Sequence, residues 1–128
     1  MITLAAYLFA ILAAFLALFQ LALAAGAPWG HLTQGGNHPG RLPPANRAMA
    51  AASVVLTAAF AGIVLSRAGA LVPDWQVASR PWAWGVVGLS ALSLLANAAS
   101  RSRAERRLWL PVALVMLITS VVVARSGA

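Results

Sequence analysis

TLAAYLFAILAAFLALFQLALAA, residues 3–25, decides the fold class. The stretch holds no charge, and the one strongly polar side chain in its later half is Gln20. About 20 mainly apolar residues are enough to cross the hydrocarbon core of a bilayer as a helix. Three further runs of this kind follow, at about residues 47–65, 81–100 and 108–124. The third opens on Pro81, a favourable residue for a first helical turn. The fourth is short and is expected to thin the bilayer or lean on flanking Arg. Trp29, Trp75, Trp82, Trp84 and Trp109 all lie near the ends of these runs, where an interfacial aromatic belt belongs. The expected fold class is therefore all-α: one domain, residues 1–128, forming an integral membrane four-helix bundle in the cell membrane.

Composition supports the same reading. Of 128 residues, 62% are hydrophobic and 9% charged, against about 45–50% and about 25% in soluble domains. A chain this short has too little interior to hide that excess from water. The runs themselves argue against a cleaved leader. No Lys or Arg precedes the first one, and it exceeds the usual apolar length of a signal peptide.

All nine basic residues are Arg, the only acids are Asp74 and Glu105, and the formal net charge is +7. The arginines sit between apolar runs, where they set orientation and meet anionic lipid, so no nucleic-acid partner is expected. Arg41 and Arg47 follow the first run, and Arg101, Arg103, Arg106 and Arg107 follow the third. With four spans these two connections share one side, leaving Arg67, Arg80 and Arg125 on the other. Six of the nine against three favours the first group inside, with both termini non-cytoplasmic. The absence of Cys excludes disulfides, thiolate metal sites and Cys nucleophiles.

Helix faces carry the next layer of information. At helical spacing the first run presents Ala6, Ala10, Ala13, Ala17, Gln20 and Ala24, opposite Leu8, Phe9, Leu12, Phe15, Phe19 and Leu23. Small faces let helices approach closely in lipid, so the Ala face is expected inward and the Phe/Leu face toward lipid. Ala58, Gly62 and Ser66 in the second run, and Gly85 and Gly88 in the third, read as packing signals. Gln20, Ser53, Thr57, Ser90, Ser93 and Asn97 are the polar residues inside the runs, and the strongest fall toward one membrane side. Two readings fit them: interhelical hydrogen bonds, or a small polar pocket at that end of the bundle.

The first connection is the distinctive segment. Residues 26–46 read GAPWGHLTQGGNHPGRLPPAN, with five Gly, four Pro and both His. Loops beyond about 12–15 residues are uncommon and usually functional or disordered. Trp29, Leu32 and Leu42 give this one apolar anchors, so an ordered cap over the helix ends is expected. His31 and His38 lack Cys and carboxylate partners and are not spaced as a helical ligand pair, so no metal is expected. Gly-rich turns beside Arg41 and Arg47 could cradle an anion such as a lipid phosphate. Catalytic machinery is sparse. Asp74 falls on the opposite side from both His, and Glu105 sits within RSRAERR, where pairing with Arg is the ordinary explanation. No cofactor is expected, because no nucleotide-binding motif is present.

The segment G-A-P-W-G, four residues, G-G, two residues, P-G-R-L-P and then Arg47 resembles a pattern in small bacterial four-span membrane proteins. The resemblance covers residues 26–47. It implies the four-helix fold and a constant first connection, and it implies no activity.

The leading functional expectation is a non-enzymatic protein that binds a lipid, small amphiphile or membrane partner at its cytoplasmic end. Second comes a small transporter or channel-like homo-oligomer, and third a lipid-modifying enzyme using His31 or His38. Candidate ligand-binding residues are Gln20, Trp29, His31, Asn37, His38, Arg41, Arg47, Ser53 and Asn97. No residue is assigned a catalytic role. Membrane lipids are the expected partners. A reporter active only in the cytoplasm, fused after Ala128, is expected to be silent; a bright signal would reverse the orientation.

Overall fold

The computed structural model describes residues 2–126. Four α-helices account for most of them: α1 (Ile2–Ala25), α2 (Pro44–Arg67), α3 (Arg80–Ala98) and α4 (Arg103–Ala124). Short 3-10 turns lie at Gly30–Leu32, Gln34–Gly36 and Pro73–Trp75, and no strand is present among the described residues. By length and composition α1, α2 and α4 can cross a membrane. The shorter α3 is not among these; its 19 residues carry Arg80, Ser90, Ser93 and Asn97 among the apolar ones.

The helix boundaries follow from local chemistry. Ala and Leu dominate α1 and are among the best helix formers. Gly26 at φ 105° stops it, with Gly26 N donating to Leu23 O and Ala27 N to Ala22 O. Those are the two bonds of a Schellman cap, which requires a residue tolerant of positive φ. Gly69, at φ 77°, ends α2 in the same way, through Gly69 N to Ser66 O and Ala70 N to Leu65 O. Pro44 opens α2 about a turn before the apolar run begins, its missing N–H costing nothing in the first turn. The fourth helix is longer than its apolar run. Ser102 caps it, with Oγ accepting from Glu105 N at 3.2 Å, so the helix begins at Arg103 and reaches 22 residues.

α1 packs along α2 on one side and α4 on the other; α3 packs mainly on α4, and α2 meets α3 only sparingly. Two apolar clusters hold the bundle. One joins Ala6, Phe9 and Ala13 to Val64, Val86, Met116 and Val123. The other joins Phe19, Leu23 and Ala50 to Trp109 and to Leu42 of the first connection. Around the outside, Leu4, Ile11, Leu18, Val55, Trp82, Leu92 and Leu95 are among many large exposed apolar residues, the surface of a chain solvated by lipid.

Two expectations about faces are corrected. Phe9, Phe19 and Leu23 are buried, although assigned to lipid, while Ala10 and Ala17 are only half-buried. The inward stripe runs Ala6, Phe9, Ala13, Leu16, Gln20 and Leu23, rotated from the Ala stripe, because α1 has neighbours on two sides. A Cβ added at Gly62, Gly85 or Gly88 would meet nothing within 4 Å, so these glycines make no close helix contact within the chain.

At the end opposite the first connection, Arg67 is fully buried. Its Nη1 donates to Gln76 O at 2.7 Å and its Nη2 to Ser126 O at 2.8 Å. One guanidinium thus ties the end of α2 to both the second connection and the chain after α4. Arg67→Met keeps the stem and removes the head. Charged hydrogen bonds contribute about 1.5–3 kcal/mol each, partly offset by desolvation, so a loss of roughly 2–4 kcal/mol is expected. Denaturant titration of the detergent-solubilised protein, followed by helicity, measures it. An unchanged midpoint would mean that those carbonyls find other partners.

Candidate ligand-binding cavity

Because α2 and α3 touch so little, a cavity of about 450 Å³ opens between them at the end covered by the first connection. Its size falls within the range of small-molecule sites. Gln20 comes from α1; Ser53 and Thr57 from α2; Ser90, Ser93 and Asn97 from α3; Glu105 and Trp109 from α4; and Thr33 from the connection. Apolar walls come from Leu16, Phe60 and Met116, and exposed Leu56, Leu89 and Leu92 stand at the outer side.

Three of the polar groups bond back onto their own helices. Ser53 Oγ donates to Met49 O at 3.0 Å, and Thr57 Oγ1 donates to Ser53 O at 2.7 Å. Asn97 Nδ2 donates to Ser93 O at 2.8 Å. Each spends a donor on its own helix four residues back and keeps acceptor lone pairs free. Gln20 and Ser90 have no side-chain hydrogen-bond partner among the described residues, and both line the cavity.

Glu105 is the residue that reading the sequence missed. It is not turned outward among the arginines. It is 7% exposed, and its Oε2 accepts from Gly35 N at 2.9 Å. Ser102 and Glu105 stand in the S-x-x-E spacing of a capping box just before an apolar run. That signal places Glu105 in the first turn of α4, on the same face as Trp109 four residues on. What it could not supply is that the carboxylate, rather than folding back on its own helix, reaches across to the connection.

The first connection is folded down over this end. Gly30 N donates to Gly40 O at 2.8 Å, Trp109 Nε1 to Leu32 O at 2.9 Å, and Ser102 Oγ to His31 O. Gln34 and Asn46 exchange hydrogen bonds. Trp29 stacks on Phe19 at 6.0 Å with 7° between planes, and Phe19 meets Trp109 at 4.7 Å.

The nine candidate residues divide accordingly. Gln20, Ser53 and Asn97 meet at the cavity. Trp29, His31, Asn37, His38, Arg41 and Arg47 do not line it. Trp29 is an aromatic anchor, and Arg47 Nε holds Ala24 O at 3.0 Å, at the end of α1. His31 and Asn37 are exposed, and exposed Arg41 lies against Gly26. The two imidazoles have no hydrogen-bond partner among the described residues, and no group of three or more His, Asp or Glu there is placed to hold a metal ion. No family model, curated protein or solved structure matches the chain.

Gly30 marks how tightly the connection is packed. A Cβ there would lie 1.8 Å from His38 O and 2.7 Å from Gly40 O, both backbone atoms that cannot yield alone. Trypsin should cut slowly after Arg41 in the native protein and several-fold faster in Gly30→Ala, read by mass of the fragments. Equal rates would show that the connection is not held by this packing.

Proposed function

We propose that the protein is a non-enzymatic four-span membrane protein that holds a lipid or other small amphiphile in the α2–α3 cavity. The observation that carries this reading is the lining: hydroxyls, amides and one carboxylate inside, with exposed Leu56, Leu89 and Leu92 toward the surrounding medium. An amphiphile matches that division, its head among the polar groups and its chain along the leucines. α3 packs along α4 and shares its depth, which supports counting α3 as the fourth span. Arg41, Arg47 and the four arginines of residues 101–107 lie at the cavity end, which favours that end as cytoplasmic and both termini as non-cytoplasmic.

The alternatives have less support. His31 and His38 stand outside the cavity, so neither is placed to act on a molecule within it. A second cavity of about 420 Å³ lies further along the same seam, lined by Gly62, Ile63, Trp75 and Trp82. Val86, buried in an apolar cluster, falls between the two cavities along α3, which counts against a polar path across the bundle.

Native mass spectrometry of protein released from a mild non-ionic detergent should show one retained amphiphile. Gln20→Leu replaces an unpartnered amide facing open volume, so the fold should tolerate it while retention falls. If wild-type protein carries no adduct from membranes or from added lipid extract, amphiphile binding is wrong.

A further inference from the structure

Resting on the proposal that the α2–α3 cavity holds an amphiphile, we infer that the head group it selects is cationic, an alkylammonium held by the Glu105 carboxylate. The inference begins with burial. Glu105 is 93% buried (7% exposed), and a buried carboxylate is costly unless it is paired or hydrogen-bonded. One oxygen has its donor, Gly35 N at 2.9 Å. The other has no protein hydrogen-bond partner among the described residues, and the side chain lines the cavity.

Arginines surround this end of the bundle without neutralising that charge. Arg47 is committed to Ala24 O and Arg106 to Ser100 O. Arg101, Arg103 and Arg107 are exposed and have no partner among the described residues. The cavity itself is lined by no Arg at all. An anionic head group would therefore meet a carboxylate inside and find its counter-charges elsewhere.

Three of the cavity's neutral groups point the same way. Ser53, Thr57 and Asn97 have each turned a donor back onto their own helix, which leaves oxygen lone pairs for a ligand. An ammonium is a donor with no acceptor, so it complements a carboxylate that shares its cavity with such oxygens. Trp109, one turn beyond Glu105 on α4 and in the same wall, adds an aromatic surface of the kind that attracts cations. The long axis of the ligand then follows the leucines at the outer side.

The experiment compares three probes of equal chain length, dodecylammonium, dodecanol and dodecanoate, at matched mole fraction in neutral maltoside micelles. Native mass spectrometry reads the fraction of protein retaining one probe. Wild-type protein should prefer dodecylammonium by about tenfold or more, the scale of one satisfied buried charge. Glu105→Gln keeps an oxygen for Gly35 N and removes the charge, so the preference should fall to near parity. Arg103→Gln, at an exposed and unpartnered side chain, should leave the preference unchanged. Should Glu105→Gln fail to fold, Ser90→Leu narrows the cavity without touching the Gly35 contact and should lower retention of dodecylammonium. Equal retention of all three probes by the wild type overturns the cation assignment and leaves amphiphile binding standing. Retention of none overturns both. Preference for dodecanoate overturns the cation assignment and moves the head group to the arginines.

Discussion

Hydrocarbon offers no hydrogen bonds, so every backbone group of a lipid-solvated chain must find its partner within the chain. Helices meet that demand along their length and fail it at their ends, where carbonyls and amides are left over. Much of this structure is a set of answers to that failure. Gly26 and Gly69 fold the last turns of α1 and α2 back on themselves. Arg47 donates to Ala24 O, Arg67 to Gln76 O and Ser126 O, and Arg106 to Ser100 O. Arginines that read as markers of orientation are therefore also the groups that close carbonyls at the helix ends. A guanidinium suits this use because it carries five donors and stays charged. It also complements the negative end of a helix dipole.

The same requirement explains the first connection. A loop rich in Gly and Pro cannot lie against a bilayer with its amides open. Here those of Gly30, Leu32, Thr33, Gly35 and Gly36 are taken up by Gly40 O, by the Glu105 carboxylate and by the carbonyls of the 3-10 turns. The aromatic group of Phe19, Trp29 and Trp109 supplies the apolar floor on which the loop rests. Burial and hydrogen bonding coincide at Trp109, whose ring packs on Phe19 while its N–H holds Leu32 O.

How much of this was legible in the sequence depends on which physical signal carried it. Helix number and approximate span came from uninterrupted apolar runs, which are long-range and redundant, and the all-helical bundle is as expected. The Ala stripe of α1 is a guide to its inward side only for a helix with a single inward face. A helix with partners on two sides buries Phe9 and Phe19 as well as Ala6 and Ala13. Gly62, Gly85 and Gly88 carried the motif of close packing, yet no neighbour approaches them within the chain. Gln20, Ser53 and Asn97 were found because a polar side chain in an apolar run is rare and needs a reason. Glu105 was missed because its neighbours in sequence are arginines, and the partner it takes, Gly35, lies 70 residues away.

That last contact also accounts for an acid placed amid so much positive charge at this end of the bundle. Glu105 lies in the first turn of α4, where the helix dipole favours a negative group, and Gly35 N supplies a second positive pole. The carboxylate is thus stabilised by fixed dipoles and not by a mobile arginine. Dipoles compensate burial without cancelling net charge, whereas an ion pair would cancel it. A wall so built holds a carboxylate toward the cavity, while Arg101, Arg103 and Arg107 stand exposed outside it. The two populations of charge are separated by the fold itself. That separation lets a strongly basic chain place a carboxylate, and no arginine, in the wall of the cavity between α2 and α3.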